Sequence, residues 1–256
     1  PDCKGEGARI AMKAGAEMLH KDYFIPRWAG VLTPESGDRV ERISDTTSRR
    51  PAWEIYVTNE GARFVPEDVA EPLAREQALL KVPDLTFWVV YDETIRQEAP
   101  AFFDEVAPEK AHAWMGKHPS FVTADTLEGL AVAAGINTAN FLETVSAYNA
   151  AVDSGKDPLG RTHLPRRIEN GPFYAVKHPG AAATTIPGIS VNEQFEVVRG
   201  DGSAIENLYA AGEILGMGLH SANAFVGGLG LMPALTYGRL LGERWLQWDH
   251  VAAAAD

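Results

Sequence analysis

Cysteine is nearly absent from this sequence, and its scarcity excludes two kinds of small protein. The 256 residues contain a single cysteine, Cys3. One cysteine cannot form a disulfide within the chain, and it cannot supply a cysteine-rich zinc site. Chains without disulfides are typical of reducing compartments, so we expect a cytoplasmic location.

Long apolar runs and an excess of basic residues are also missing. No apolar run reaches the roughly 20 residues that a membrane-spanning helix needs, and we expect no membrane span. The 35 acidic residues outnumber the 23 basic ones, which gives a formal charge of −12. Because nucleic acids bind basic surfaces, we do not expect this acidic chain to bind them.

Several motifs that mark hydrolases, nucleotide hydrolases and metalloenzymes do not occur. The sequence has no Gly-x-Ser-x-Gly motif and no P-loop, which argues against the usual hydrolase and NTPase classes. None of the seven histidines lies at metal-ligand spacing from another histidine or from the cysteine. We therefore expect no metal site.

The patterns that are present mix helices with short strands, which predicts an α+β fold. Residues 5–19 predict a short helix with Ile10, Ala14 and Met18 on its apolar face. Residues 53–65 predict a hairpin around Asn59-Glu60-Gly61, and 157–167 predict a linker. Further helices are predicted over 70–80, 126–135, 137–153 and 231–248, and strands over 85–91, 173–177, 183–186, 196–198 and 207–211.

The most informative segment is 207–242, where a predicted buried strand leads through glycines into a helix. Gly212 and Glu213 follow that strand, and the later glycines are Gly216, Gly218, Gly227, Gly228 and Gly230. Glycine allows a ligand to approach the bare backbone, and a helix N-terminus offers unpaired N–H groups. This pattern favours a phosphate, a carboxylate or the edge of a flavin. The alternative is that the glycines only let a helix pack closely on a sheet.

Several sequence motifs, which occur along the chain in the order typical of the family, resemble those of the fumarate reductase/succinate dehydrogenase flavoproteins. Relatives in that family include 3-ketosteroid dehydrogenases and tricarballylate dehydrogenase. The strongest match is Leu208-Tyr209-Ala210-Ala211-Gly212-Glu213, followed by a histidine, Ala222-Asn223 and Gly227-Gly228. Upstream matches are Gly5-Glu6-Gly7, the Asn59–Glu67 hairpin, Thr144–Asn149 and Phe173–Val176. The resemblance covers nearly the whole chain.

The resemblance implies three segments within this fold. Residues 1–23 resemble the tail of a Rossmann-like FAD-binding domain, 24–180 a capping (substrate) domain, and 181–256 the C-terminal FAD-binding segment. The family's N-terminal Gly-x-Gly-x-x-Gly turn has no counterpart, and the sequence starts with Pro1 rather than Met. We therefore expect an incomplete piece that needs a missing N-terminal FAD-binding part or a partner chain. Such a piece should expose apolar surface on its end segments.

FAD is the cofactor that the resemblance implies, with a small molecule as substrate. The implied chemistry is hydride transfer between flavin N5 and a C–C bond beside a carbonyl or carboxylate. Glu213 is assigned to the ribityl chain, and the backbone of 228–231 to the flavin O2 edge. The implied cofactor-binding residues are Gly212, Glu213, Asn223, Gly227, Gly228, Leu229, Gly230 and Leu231. The alternative is a non-catalytic chain that completes an FAD domain with a partner.

Five polar residues are candidates for contact with the substrate. His220 is the candidate acid or base, and Thr184, Thr185, Ser221 and Arg63 are candidate substrate ligands. Four of them, all but Ser221, have a structural alternative. The histidine would pack against the flavin, the threonines would be β-branched strand residues, and the arginine would pair with Glu67.

The sequence also departs from the fumarate reductase pattern at three places. Ala224 and Phe225 stand where the pattern has an arginine after Ala-Asn, and Thr184–Gly188 replaces His-Thr-x-Gly-Gly. The arginine expected after the hairpin has no match in register, since Arg75 comes one turn late. Without these carboxylate ligands, fumarate and succinate are not the expected substrates.

Overall fold

The structure is a computed structural model that describes residues 4–28, 30–37, 40–42, 50–103, 106–182, 184–222, 224 and 226–246. The chain divides into two compact units: unit 1 is 1–25 with 182–256, and unit 2 is 26–181. The domain limits expected from the sequence were 23/24 and 180/181. Their assignment to a capping domain and an FAD-binding segment stays a prediction.

A four-stranded antiparallel sheet forms the centre of unit 2, in the spatial order β5–β6–β8–β7. Its strands are β5 Ile55–Thr58, β6 Thr86–Asp92, β7 Phe121–Ala124 and β8 Phe173–Pro179. Every residue of β6 is buried, and Val89 lies opposite Val176 of β8. The continuous apolar sequence of β6 therefore marks a central strand covered on both faces. The remaining strands in this part of the chain are β2 Pro26–Arg27, β3 Gly30–Val31, β4 Glu41–Arg42 and β9 Ala181–Ala182.

The described part of unit 2 contains five α-helices, and the last two begin at a capping side chain and end at a glycine. The five are α2 Pro72–Leu79, α3 Glu93–Glu98, α4 Pro108–Ala113, α5 Leu127–Ala134 and α6 Thr138–Ser154. The Thr126 hydroxyl accepts the Gly129 N–H at 3.0 Å, and the Asn137 side chain accepts the Asn140 N–H at 3.1 Å. Gly135 ends α5 at φ 71°. The predicted helices over 126–135 and 137–153 are confirmed.

The prediction of a linker over 157–167 is wrong, because this segment is tied into the core of unit 2. Arg161 is only 2% exposed. Its guanidinium donates to the backbone oxygens of Ala52, Glu54 and His163 and to the Glu67 carboxylate. A Pro- and Arg-rich composition resembles that of an exposed linker, but here the arginine satisfies buried acceptors.

Unit 1 is built from short elements around small apolar clusters. They are α1 Glu6–Lys13, β1 Met18–Leu19, β10 Gly188–Ile189, β11 Glu196–Val198, β12 Ala204–Tyr209, α7 Gly218–Ser221 and α8 Met232–Leu246. Strand β1 pairs with β10 and β11 pairs with β12, both antiparallel. One cluster contains Ala11, Ile189, Val197, Ile205, Ala210 and Leu215. Residues 247–248 of the predicted last helix lie outside the described residues.

The predicted apolar face of the first helix is wrong. The helix ends at Lys13, Gly15 follows at φ 98°, and Met18 belongs to β1 instead. Ile10 is 66% exposed, whereas Ala11 is the buried residue of the helix. The four-residue spacing of Ile10, Ala14 and Met18 extends across a helix end that the glycine imposes, so it does not mark one helix face.

Two strand predictions in unit 1 also need correction. Residues 184–186 lie outside the strands, because the carbonyls of Thr185 and Ile186 accept the N–H groups of Met217 and Gly218 at 2.9 and 3.1 Å. The strand predicted over 207–211 runs from Ala204 to Tyr209, and it is largely exposed because it pairs with β11 alone.

The apolar exposure expected for the end segments is present. In unit 1, Leu231, Met232, Leu235 and Trp245 are each more than half exposed. Among the described residues, no helix is both long and apolar enough to cross a bilayer. Within the same residues, no group of three His, Cys, Asp or Glu side chains is placed to hold a metal ion.

Candidate functional site

The glycine-rich segment after β12 contains two kinds of glycine, which the structure separates. It forms a 3-10 helix over Gly212–Leu215, then α7, then turns over 227–231 that lead into α8. A Cβ at Gly216 would lie 2.3 Å from the Ile186 oxygen, and one at Gly218 would lie 2.9 Å from it. These two glycines are required by close backbone packing, which is the structural alternative stated for the segment.

Gly227, Gly228 and Gly230 serve a different purpose. A Cβ at any of them would meet no atom of the described structure within 4 Å. Gly228 has φ 91°, a conformation that side chains disfavour, but Gly230 has no such constraint. The N–H groups of Gly228 and Gly230 donate no hydrogen bond to described residues. Bare backbone with unpaired N–H groups is what a closely approaching acceptor needs.

The N-terminus of α8 follows directly and adds to this preference for electron-rich groups. Met232 is the first residue of a 15-residue helix, and Pro233 stands at the second position. The N–H groups of Leu231 and Met232 are bonded to the Gly228 oxygen at 3.2 and 2.9 Å. The partial positive charge of the helix end therefore lies beside the open glycines.

A cavity of about 210 Å³ lies next to this turn, wholly within unit 1. It brings together seven of the predicted residues: Thr184, Thr185, Gly212, Glu213, His220, Leu229 and Gly230. Met217, Pro233, Ala234 and Tyr237 complete most of the remaining wall. Ser221, Gly227, Gly228 and Leu231 are not among the lining residues, and Asn223 lies outside the described residues. None of the described lining residues is a lysine or an arginine.

The strongest polar contact in this cavity joins His220 to Tyr237. The His220 Nε2 atom lies 2.8 Å from the Tyr237 hydroxyl, and Tyr237 packs on Phe195 with ring centroids 4.9 Å apart. Sequence reasoning gave Tyr237 no role. The spacing of Leu229, Pro233 and Tyr237 four residues apart could have placed it on the cavity-facing side of α8.

The other predicted substrate ligands differ in whether their polar groups already make hydrogen bonds within the protein and in how exposed they are. The Ser221 hydroxyl donates to the Met217 oxygen at 3.1 Å within its own helical turn. The threonines line the cavity, with Thr184 half-buried and Thr185 exposed. Glu213 is exposed, and no ion pair to a described residue satisfies its carboxylate.

Arg63 belongs to unit 2 and is not among the residues that line the cavity of unit 1. Its Nε and Nη2 atoms donate to Glu67 at 2.6 and 2.5 Å, and its Nη1 donates to Asp157 at 2.6 Å. Although burial opposes the charge, hydrogen bonds and the charges of these two carboxylates raise the pKa of Arg63. The guanidinium thus has the structural role that the sequence analysis gave as the alternative.

These features define a class of protein. An α+β chain that presents bare glycines and a helix N-terminus beside a cavity has the features with which proteins commonly bind the electron-rich part of a nucleotide cofactor. The sequence pattern of the FAD binding domain family matches residues 1–229, and the chain belongs to this family. FAD, the cofactor expected from the sequence, is the one that the family description names.

Comparison with known proteins agrees with this membership. The chain is 33% identical to the NADH:acrylate oxidoreductase of Vibrio harveyi over 95% of its own length and 23% of that protein. It matches the open conformation of a flavocytochrome c3 fumarate reductase with a TM-score of 0.61 and 28% identity, covering 94% of this chain and 39% of the other. The fold alone is shared with the 3-ketosteroid delta1-dehydrogenase of Sterolibacterium denitrificans (TM-score 0.71, 23% identity, 95% and 47% covered). The chain spans less than half the length of each.

Proposed function

We propose that the protein containing this chain is an FAD-dependent oxidoreductase of the fumarate reductase type. It would transfer a hydride between flavin N5 and a C–C bond beside a carbonyl or carboxylate. The observation that carries the proposal is the pair of open glycines, Gly228 and Gly230, whose N–H groups have no partner among the described residues. Similarity to an NADH:acrylate oxidoreductase and to a fumarate reductase supports the same chemistry.

The residues present fit a flavin. The backbone of 228–231 and the N-terminus of α8 would hold the electron-rich edge of the ring, and Glu213 would accept hydrogen bonds from hydroxyl groups of the cofactor. Thr184 and Thr185 would contact the substrate from the opposite wall of the same cavity. Bound FAD supplies the hydride donor or acceptor.

His220 and Tyr237 are the groups that can hold a proton at this site. Their 2.8 Å hydrogen bond fixes the orientation of the imidazole and lets either partner carry the shared proton. Reduction of a C=C bond needs an acid that gives a proton to the carbon that does not receive the hydride, and formation of the C=C bond needs a base that removes that proton. We assign the proton-transfer role to His220 and the orienting role to Tyr237.

A dicarboxylate is not the substrate that this cavity favours. No lysine or arginine is among the described residues that line it, so the bidentate cations that bind carboxylates are missing there. Arg75, which follows the predicted hairpin, is 3% exposed and lies over the Trp28 ring at 6.0 Å in unit 2. We propose a substrate with less charge than fumarate, activated by a carbonyl or a single carboxylate.

The test compares two glycine variants in the full-length protein. A side chain at position 230 starts in open space on the bare backbone, since a Cβ there meets no described atom within 4 Å. The same holds for Gly200 on the turn between β11 and β12, so Gly230→Val and Gly200→Val are a matched pair. We expect Gly230→Val to weaken FAD binding by tenfold or more, measured by flavin fluorescence, and Gly200→Val to leave it unchanged. Equal binding by both variants would remove the basis of the proposal.

The same preparation tests the proton-transfer role. With FAD bound, His220→Gln should lower the rate of substrate-dependent flavin turnover by a factor of roughly 100 or more. Tyr237→Phe should shift the pH profile of that rate, because it removes the partner of Nε2. A full-length protein that retains no FAD after free cofactor has been removed by gel filtration would support the alternative of a non-catalytic chain that completes an FAD domain with a partner.

A further inference from the structure

A second cavity, of about 270 Å³, lies wholly within unit 2. It is lined by residues of β6, α3 and α4, by residues 99–103, and by Arg50 and Glu54. The apolar part of its wall consists of Ile95, Ala99, Pro100, Phe102, Phe103 and Ala111. It shares no residue with the cavity of unit 1, and the proposed oxidoreductase chemistry makes no use of it.

Tyr91 gives this apolar cavity a polar anchor. Its ring stacks on Tyr174 with centroids 5.3 Å apart and an interplanar angle of 24°. The Tyr174 hydroxyl donates to Glu93 at 2.7 Å, but the Tyr91 hydroxyl makes no hydrogen bond to a described residue. Tyr91 is only 8% exposed, but its hydroxyl oxygen is not among the fully buried polar atoms, so solvent in the cavity reaches it and a ligand can replace that solvent as the hydrogen-bond partner. Burial raises the pKa of Tyr91, which keeps the phenol neutral and able to donate.

The charges at the cavity argue against an ionic ligand. Arg50 pairs with Glu54 at 3.0 Å, and Arg96 donates to Glu93 at 2.7 Å through Nε. Both arginines that line the cavity are therefore already balanced by carboxylates, and an added anion would face these carboxylates as well. An uncharged ligand avoids that repulsion and loses little hydration on entering apolar walls.

We propose that this cavity binds an uncharged ring compound that carries a carbonyl oxygen or a similar hydrogen-bond acceptor. The ring would pack against Ile95, Phe102 and Phe103, and the acceptor would take the proton of the Tyr91 hydroxyl. A dry cavity of about 150 Å³ is enough to hold benzene. A cavity of about 270 Å³ therefore has room for a compound with two fused rings.

Three probes that share one ring system separate the parts of this proposal. They are 2-acetylnaphthalene, 2-ethylnaphthalene and 2-naphthoate, titrated into the whole chain by calorimetry. We expect the ketone to bind about five- to tenfold more tightly than the hydrocarbon, which corresponds to one neutral hydrogen bond, and the carboxylate to bind weakest. Equal affinity of the ketone and the hydrocarbon, tightest binding of the carboxylate, or no binding of any probe would overturn the proposal.

Three substitutions test whether the probes bind in this cavity. Tyr91→Phe should reduce the affinity for the ketone to that for the hydrocarbon, while Tyr148→Phe should leave both unchanged. Tyr148 is the matched control, because its hydroxyl donates to the Arg166 oxygen at 3.1 Å and it does not line the cavity. Ala111→Leu should fill the cavity and abolish binding of both probes. Undiminished ketone binding by folded Tyr91→Phe would place the probe elsewhere. If that variant does not fold, the relative affinities of the three probes for the unaltered chain still test the proposal.

Discussion

His178 is a histidine inside an aromatic core, and its surroundings determine which charge state the fold tolerates. The side chain is 2% exposed. Its ring stacks on Phe87 with centroids 5.1 Å apart and meets Phe102 edge-on at 5.8 Å. Burial lowers the pKa of His178 from 6.5 to about 4. The folded chain therefore holds a neutral imidazole where the unfolded chain, near pH 5, holds a charged one.

This difference makes stability depend on pH with a definite sign. The contribution of His178 is complete above pH 6.5 and is lost as the pH falls toward 4, because only the unfolded chain takes up the proton in that range. The loss between pH 7 and pH 5 is about 2 kcal/mol. His178→Phe should abolish this part of the pH dependence of urea unfolding, followed by tryptophan fluorescence. Exposed His112, changed to Phe, is the control, and an unchanged slope in His178→Phe would contradict the prediction.

Single residues also show where sequence reasoning reaches its limit. The pairing of Arg63 with Glu67, four residues apart, was the structural alternative to a substrate-binding role, and the structure contains it. Asp157 and Arg161 belong to the same buried ion cluster, but they join it from about 90 residues further along the chain, and no local pattern encodes that distance. The same limit applies to the glycines of the candidate site. Gly216 and Gly230 look alike in the sequence, and only the surrounding atoms separate packing from an open backbone.

At the scale of elements, capped helices and the central strand were predictable, while short elements were not. The side chains that cap α5 and α6 and the apolar run of β6 are local signals, so their limits follow from neighbouring residues. The paired two-residue strand β1 depends instead on a partner about 170 residues away. The α+β class itself is confirmed, because it rests on the long elements.

The hairpin turn after β5 gives a prediction about one glycine. Gly61 has φ 80°, and a Cβ there would lie 2.6 Å from the Phe141 nitrogen and 2.8 Å from the Asn137 oxygen. Gly61→Ala should therefore push the turn away from α6 and cost about 3 kcal/mol or more of unfolding free energy. Gly160 is the matched control, since it has φ 87° but open space around it. Gly160→Ala should lower the unfolding free energy only by the cost of holding an alanine at positive φ, about 1 to 2 kcal/mol. Equal losses in urea unfolding would show that packing against α6 contributes nothing.

The two units of the whole molecule differ in how much apolar surface they bury. Unit 2 is one continuous segment with a large cluster that includes Phe87, Phe121, Phe141 and Tyr148, all essentially inaccessible. Unit 1 is assembled from both chain ends and holds smaller clusters, of which one contains Ile25, Ile186 and Met217. Its last helix leaves large apolar side chains exposed. Because apolar burial is the main stabilising term, we expect unit 1 to be the less stable part of the chain.

Native-state hydrogen exchange can test this order of stability without dividing the chain. The amides of β6, which pairs with β5 on one side and β8 on the other, should exchange only when the molecule unfolds globally. The amides that pair β11 with β12 should exchange through local opening, at a free energy lower by about 2 kcal/mol or more, since that ribbon has two strands and is exposed along β12. If FAD binds the open glycines of unit 1, its addition to the full-length protein should raise protection there and leave β6 at the global limit. Uniform protection across both units without FAD would contradict this prediction. It would show that the two units unfold together, and that the small apolar clusters of unit 1 stabilise it as much as the sheet core stabilises unit 2.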